Sequence, residues 1–288
     1  MNPPPSSSLD TERVTVSVTD GVAQVRLARS DKMNALDSRM FSAIVAAGDA
    51  VAADPSVRAV VLAGEGRSFC AGLDVASFSA MAGGSDGGDG GDGADGASGT
   101  SSIVERLPGR PTNLFQEVAH VWQAMSVPVV AALHGHVLGG GLQIALGADI
   151  RFVTPDATLS VMEVRWGLLP DMTGPQALVR LVGLDVAKEL VFTARRVSGR
   201  EAPDLGLVTH VDDDPVAAAT ALATEIAGRN PEAVQGAKAL LNAAGSRPLE
   251  DSFLDESRRM ESLIGSPNQV EAVMAEMEGR PPVFSDGA

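Results

Sequence analysis

The chain lacks several features that would widen the range of functions open to it. Cys70 is its only cysteine, so an internal disulfide and a cysteine-based metal site are both excluded. No stretch approaches the roughly 18–20 apolar residues that a membrane-spanning helix needs. The first ten residues, MNPPPSSSLD, have neither the basic nor the apolar segment of a signal peptide. We therefore expect a cytoplasmic protein with no membrane association.

Acidic residues greatly outnumber basic ones, which limits the partners that the chain can have. It contains 37 Asp and Glu residues against 22 Lys and Arg residues, so its formal net charge is −15. A surface of this charge repels polyanions. We expect no binding to nucleic acid and none to an anionic membrane.

One segment, residues 82–100, consists mainly of glycine, aspartate and other small residues. It contains nine glycines and four aspartates and no large apolar side chain, so burial cannot offset the entropy lost on ordering. The spacing of Asp86, Asp89, Asp92 and Asp95 resembles a calcium site. However, calcium-binding RTX repeats need an apolar residue in each repeat, and an EF-hand loop ends in a glutamate that binds the ion. This segment has neither. We predict a mobile insert and no metal site.

Hydrophobic periodicity divides the rest of the chain into two parts. After a disordered tail at 1–11, an α/β core is predicted over 12–212, beginning with a hairpin around Asp20-Gly21 and a helix capped by Asp37. Residues 213–288 show helical spacing almost throughout. Further core strands are predicted at 57–62, 127–133, 150–153, 157–161 and 207–211. Helices are predicted at 114–125, 140–146, 174–182, 185–192, 215–227, 231–243, 249–264 and 269–277.

Two glycine-containing turns that each follow an apolar strand carry most of the functional information. The first is Ser68–Asp74, SFCAGLD, where Gly72 permits a tight bend and the Leu73 N–H is a candidate donor. The second is His134–Gln143, HGHVLGGGLQ, where Gly140 opens a helix and its N–H is left without an intrahelical partner.

Two such N–H groups facing one point can stabilise a carbonyl oxygen as it becomes an oxyanion. This pattern indicates an enzyme that acts on an activated acyl group. The alternatives are a plain strand-to-loop turn at the first site and close helix–strand packing at the second.

A third stretch, EVRWGLLPD, places two carboxylates in a largely apolar neighbourhood. Burial of Glu163 or Asp171 would raise the pKa of its carboxyl group, as a general base requires. The alternative is a surface ion pair of Arg165 with one of them. Among the other candidates, His134 and His136 are predicted to be packed or hydrogen-bonded. Core packing is favoured for Trp122 and Trp166, with an acyl pocket as the alternative.

These three stretches, with DKMNALD at 31–37 and REAPDLGLVTHV at 200–211, resemble the enoyl-CoA hydratase/isomerase (crotonase) family over about residues 12–285. The resemblance implies a spiral of βαβ units and a helical C-terminal region that forms a homotrimer or homohexamer. It implies an acyl-CoA substrate, with coenzyme A as part of that substrate and no separate cofactor. The enolate oxygen would lie between the N–H groups of Leu73 and Gly140. The coenzyme A contacts implied by the resemblance are Met33, Ala35, Ala71, Gly72, Leu73, Asp74, Val75, Gly139 and Gly140.

One position departs from the hydratase pattern. Hydratases of this family use two glutamates, and only Glu163 is present here, because Gln143 occupies the second position and an amide cannot transfer a proton at neutral pH. Double-bond isomerases of the family work with one carboxylate. Asp171 matches a catalytic aspartate of dienoyl-CoA isomerases, although it could instead support Glu163 or bond a turn amide. Isomerisation is therefore favoured over hydration, with thioester hydrolysis and a non-catalytic coenzyme A-binding protein as alternatives.

Overall fold

The computed structural model describes residues 10–74 and 103–286. Val75, the predicted tail up to residue 9 and the predicted insert at 82–100 lie outside the described residues. The strands are β1 (Val14–Thr19), β2 (Val22–Leu27), β3 (Ala59–Gly64), β4 (Val129–Leu133), β5 (His136–Leu138), β6 (Ile150–Val153), β7 (Thr158–Ser160), β8 (Val197–Ser198) and β9 (His210–Val211). The α-helices are α1 (Ser38–Ala53), α2 (Leu114–Ala124), α3 (Gly140–Leu146), α4 (Gly174–Val182), α5 (Leu184–Thr193), α6 (Pro215–Ala227), α7 (Pro231–Ala243), α8 (Leu249–Leu263) and α9 (Pro267–Glu278). Short 3₁₀ helices occupy Ser30–Lys32 and Glu163–Trp166.

The main sheet has six strands in the order β1-β2-β3-β4-β6-β9. Strands β1 and β2 form the predicted antiparallel hairpin, in which Asp20 and Gly21 both have positive φ, as a tight two-residue hairpin turn needs. The strands from β2 onward run parallel. Parallel pairing puts the carboxyl ends of β3 and β4 at the same edge, and both turns of the candidate site follow these ends.

The sheet is covered on both faces, which explains why β3 is apolar along its whole length. Alternate residues of this strand enter different cores: Val60 and Leu62 face one, while Val61 faces the other. The first core contains α1 and α2. In the second, α6 places alanines at helical spacing against β3 and β4, and their small size allows close helix–sheet packing.

A smaller sheet in the order β5-β7-β8 lies beyond the carboxyl end of β4. An isolated bridge between Cys70 and Val137 joins the first candidate turn to β5. This bridge brings two segments that are far apart in sequence into direct contact.

The predicted α/β class with C-terminal helices is confirmed, and most element bounds agree within two residues. The Asp37 cap is present, since its Oδ1 accepts the Met40 N–H at 2.8 Å. The strand predicted at 207–211 is shorter than expected, because only His210 and Val211 pair with β6. Within the two described ranges, no helix is long and apolar enough to cross a bilayer.

Candidate active site

The two glycine-containing turns pack directly against each other. The Cys70 N–H donates to the His136 carbonyl, and the Cys70 carbonyl accepts from the Leu138 N–H, both at 3.0 Å. Gly72 has φ of +90°, and a Cβ atom there would lie 2.8 Å from the Leu138 oxygen and 3.8 Å from the Gly140 nitrogen. A side chain at Gly72 is therefore excluded both by backbone conformation and by space.

The backbone beside the first turn determines where the Leu73 N–H points. Leu36 donates its own N–H to the Gly72 carbonyl at 2.8 Å and accepts the Asp74 N–H at 3.0 Å. Because Leu36 bonds to both neighbours of Leu73 in a parallel bridge, the N–H of Leu73 faces away from Leu36.

The second turn leaves a backbone N–H available at the start of α3. Gly139 precedes this helix with φ of +52°, and Gly140 is its first residue. A Cβ atom on Gly140 would lie 2.9 Å from both Leu36 Cδ1 and Met172 Sδ, so a larger residue here would require these two side-chain ends to shift. Within the part of the chain that the structure describes, neither the Gly140 N–H nor the Leu73 N–H donates a hydrogen bond to protein.

Glu163 lies beside the second turn, at the start of a 3₁₀ helix. A Cβ atom on Gly139 would be 3.5 Å from Glu163 Oε1, and this oxygen accepts a hydrogen bond of 2.6 Å from Gln143 Nε2. Glu163 Oε2 is buried and has no hydrogen-bond partner among the described residues. Burial raises the pKa of the Glu163 carboxyl, and the nearby charge of Asp171 adds to the increase.

Gln143 holds Glu163 in a fixed orientation. Its Oε1 accepts the backbone N–H groups of Met172 at 2.9 Å and Gly174 at 3.1 Å. Since the carbonyl oxygen of the amide must face these two donors, Nε2 must face Glu163. Gln143 is almost fully buried and donates to the carboxylate without being able to exchange a proton with it.

Asp171 belongs to the loop that Gln143 anchors. It is half-buried, and this burial raises the pKa of its carboxyl above the ordinary value of 3.8. Among the described residues, Arg165 forms no ion pair with either Glu163 or Asp171, so the alternative of a surface ion pair is wrong. The candidate site therefore holds two carboxyl groups whose charged forms are both disfavoured by burial.

The candidate coenzyme A contacts that are described lie together beside the first turn. The Met33 carbonyl accepts the Ala71 N–H at 3.0 Å. Arg29 Nη1 donates to the Ala35 carbonyl at 3.0 Å and forms an ion pair of 2.6 Å with Asp74. Their assignment to coenzyme A stays a prediction, and Val75 cannot be placed because it lies outside the described residues.

Several other predicted candidates are settled by burial and bonding. Trp122 is fully buried, whereas Trp166 is 57% exposed and does not belong to the core. His134 is hydrogen-bonded through Nε2 to the Gly66 carbonyl at 3.0 Å. Burial raises the pKa of the Cys70 thiol to about 12, so this group is neutral and a poor nucleophile. No group of three or more metal-binding side chains is found within the described ranges.

Sequence reasoning missed the contacts that organise the site. It did not identify Asn34, whose side chain bonds to the loop before the first turn, or the Met172 and Gly174 amides that fix Gln143. A signal existed only for Asn34, because it lies within DKMNALD and asparagine is one of the few residues that readily adopts the left-handed backbone conformation.

A family model described as enoyl-CoA hydratase/isomerase matches residues 22–282 of the chain. Human mitochondrial Delta(3,5)-Delta(2,4)-dienoyl-CoA isomerase is 32% identical over 280 residues, covering 96% of this chain and 82% of the relative. Mouse mitochondrial methylglutaconyl-CoA hydratase is 29% identical over 271 residues, covering 92% of this chain and 79% of the relative. The crystal structure of an enoyl-CoA hydratase from Bacillus anthracis superposes with a TM-score of 0.82 at 25% identity, covering 96% of this chain and 100% of the other. An isomerase and a hydratase thus match almost equally well, so overall similarity does not distinguish the two reactions.

Proposed function

The chain belongs to the enoyl-CoA hydratase/isomerase family, and we propose that it moves a carbon–carbon double bond within the acyl chain of an enoyl-CoA thioester. The observation that carries this proposal is the pairing of Glu163 with Gln143. One carboxylate lies in the same site as two backbone N–H groups that donate to no acceptor among the described residues, and the neighbouring position holds an amide that cannot act as an acid or a base.

In the proposed reaction, the thioester oxygen of a 3-enoyl-CoA binds between the N–H groups of Leu73 and Gly140. Glu163 removes a proton from C2, and the electron pair of that C–H bond moves into a dienolate whose negative charge lies on the thioester oxygen. The same proton is then returned at C4, which leaves the double bond between C2 and C3. No atom or electron is gained or lost, so no co-reactant is needed.

The two N–H donors and the Glu163 carboxylate lower the reaction barrier in different ways. Losing one oxyanion donor costs about 2.7–4 kcal/mol of transition-state stabilisation in enzymes that have been studied by mutation. Glu163 needs a basicity above that of an ordinary carboxylate, and burial raises its pKa in the required direction. Oε2 is the oxygen assigned to proton transfer, because Oε1 is held by Gln143.

Asp171 supports a second candidate reaction, the isomerisation of a dienoyl-CoA. Its pKa is raised by burial and its charge acts on Glu163. A second carboxyl group could donate a proton at a more distant carbon while Glu163 removes one near the thioester. The human relative with this activity is 32% identical over 96% of this chain.

Hydration by the two-glutamate mechanism fits the site less well. It would need an acid–base group at position 143 as well as at Glu163, and the Gln143 oxygen already accepts two backbone N–H groups. The group that replaces the second glutamate is therefore fully engaged in bonds within the protein. Loss of one general acid–base group typically lowers a rate by about 10²–10⁴-fold.

The proposal is tested by incubating the protein separately with a 3-enoyl-CoA, a 3,5-dienoyl-CoA and a 2-enoyl-CoA, and identifying each product by mass and ultraviolet spectrum. We expect conversion of the 3-enoyl-CoA to the 2-enoyl-CoA, and loss of this conversion in Glu163→Gln. Faster conversion of the dienoyl-CoA that is lost in Asp171→Asn would favour the second candidate. Formation of 3-hydroxyacyl-CoA alone, release of free thiol, or no turnover would instead indicate hydration, hydrolysis or a non-catalytic protein.

We also propose that the chain assembles as a homotrimer or homohexamer through its C-terminal helices. Helices α8 and α9 expose large apolar side chains, among them Leu249 at 70%, Phe253 at 58% and Met277 at 79%. Such a concentration of exposed apolar surface is typical of an interface. Light scattering coupled to size-exclusion chromatography should give a mass of three or six chains, and a monomeric mass would contradict the proposal.

A further inference from the structure

The Asn34 side chain contacts the first two residues of the first turn and the loop that leads into it. Its side chain is completely buried. Nδ2 lies within hydrogen-bond distance of three backbone carbonyl oxygens, those of Glu65 at 3.0 Å, Ser68 at 2.9 Å and Phe69 at 3.1 Å. Asn34 Oδ1 has no partner among the described residues, so the side chain acts there only as a donor.

The backbone around Asn34 continues this contact along the turn. The Asn34 carbonyl accepts the Cys70 thiol at 3.1 Å, and the next bonds along the turn join Met33 to Ala71 and Leu36 to Gly72. Because Leu36 also accepts the Asp74 N–H, the segment 33–36 bonds to the turn on both sides of Leu73. These hydrogen bonds fix the path of the backbone through the first turn.

Position 34 places two requirements on its residue. The backbone has φ of +55°, which glycine, asparagine and aspartate adopt most readily. The side chain must donate hydrogen bonds to carbonyl oxygens, which excludes glycine and an ionised aspartate. Asparagine alone among these three residues meets both requirements.

We infer that Asn34 is a positioning residue for the oxyanion site: it sets the loop at 65–69 so that the Leu73 N–H points at the thioester oxygen. This inference rests on the proposed function of that N–H. Asn34 does not contact the reacting atoms and acts through the backbone it holds. Misplacing a catalytic group by about 1 Å can lower a rate by about 100-fold, so a shift of this loop affects turnover directly.

Two variants at position 34 separate the side chain from the backbone. Asn34→Asp keeps the size and shape but replaces the donor by an acceptor opposite three carbonyl oxygens. Asn34→Gly removes the side chain without opposing the positive φ or introducing a buried charge, so it is the second variant to measure if the aspartate variant does not fold. Asn268→Asp is the matched control, because Asn268 is also buried and donates to a backbone carbonyl, that of Ser285, outside the candidate site.

We expect kcat to fall about 100-fold in both Asn34 variants, with KM changed by less than about threefold. Hydrogen–deuterium exchange of a peptide covering 65–74 should become faster in both, and neither effect should occur in Asn268→Asp. A kcat within threefold of the control in a folded Asn34 variant would overturn the inference, as would unchanged exchange of the 65–74 peptide.

These outcomes are distinguishable from failure of the proposed function. If the wild-type protein hydrates its substrate instead, the ratio of kcat values in that reaction still tests Asn34, because the oxyanion site serves either reaction. If the wild-type protein turns over no enoyl-CoA, the proposed function fails, and the inferred positioning of an oxyanion donor by Asn34 fails with it. The exchange measurement then reports separately whether Asn34 holds the turn.

Discussion

Replacing Gln143 by glutamate tests the structural reason for favouring isomerisation. In Gln143→Glu, one carboxylate oxygen can keep the hydrogen bonds from the Met172 and Gly174 N–H groups. The other oxygen then faces Glu163 Oε1 at the position where Nε2 now lies, 2.6 Å away. The site would resemble the two-glutamate arrangement of the hydratases.

The energetic consequence can be worked out from this distance. Two negative charges 2.6 Å apart repel by about 6 kcal/mol at an effective dielectric constant of 20. Both groups therefore cannot be ionised at once near neutral pH, and the pair must share one proton. A shared proton supplies an acid and a base together, which addition of water to a double bond requires.

We expect hydration of a 2-enoyl-CoA to increase by about 100-fold or more in Gln143→Glu, within the 10²–10⁴-fold range of general acid–base catalysis. The assay follows loss of the conjugated thioester absorbance and identifies the 3-hydroxyacyl-CoA by mass. Gln123→Glu is the control, because Gln123 is half-buried and lines a cavity with Pro128, at the opposite end of β4 from the turns. An unchanged hydration rate in a folded Gln143→Glu protein would refute this account of Gln143.

Three further predictions concern the groups around the oxyanion site. Gly72→Ala should lower kcat at least 100-fold, because the backbone there has φ of +90° and the new Cβ would lie 2.8 Å from the Leu138 carbonyl oxygen, which displaces the adjoining Leu73 N–H. Steady-state kinetics checks this, and a near-normal kcat would contradict it. The kcat/KM profile of the wild-type protein should rise with pH through a pKa above the ordinary 4.5 of a glutamate, because Glu163 must be ionised to accept a proton and burial raises its pKa. An apparent pKa at or below 4.5 would contradict this. Glu163→Gln should be more stable to thermal unfolding than wild type at pH 7 but not at pH 4. The raised pKa of Glu163 in the folded protein stabilises the wild type below the unfolded-state pKa, and this stability is lost as the pH rises through the folded-state pKa, by about 1.4 kcal/mol for each unit of difference. An equal difference between the two proteins at both pH values would contradict the assigned direction.

The parts of the fold that were predictable are those with a local cause. The turn at Asp20-Gly21 and the cap at Asp37 follow from the conformational and hydrogen-bonding preferences of those residues. The buried strand β3 follows from its continuous apolar run. In contrast, β9 is two residues long because only that part of the predicted strand finds a partner in β6, which the local sequence does not encode.

The candidate site shows the same division between local and long-range causes. Glycine at 72 and 140 indicated two close approaches, and the structure shows the atoms involved: the Leu138 carbonyl oxygen at Gly72 and the ends of the Leu36 and Met172 side chains at Gly140. The bond between Gln143 and Glu163 spans 20 positions, and that between Asn34 and Phe69 spans 35. Contacts between loops at such separations leave no periodic pattern, so they could be found only from the folded chain.

The most direct test of the account measures proton removal from the substrate without the rest of the reaction. A saturated acyl-CoA is incubated with the protein in deuterium oxide, and incorporation of deuterium at C2 is followed by mass spectrometry. The account predicts exchange catalysed by the wild-type protein and slowed about 10²–10⁴-fold in Glu163→Gln. Equal exchange rates in the two proteins would show that Glu163 is not the base and would contradict the central claim.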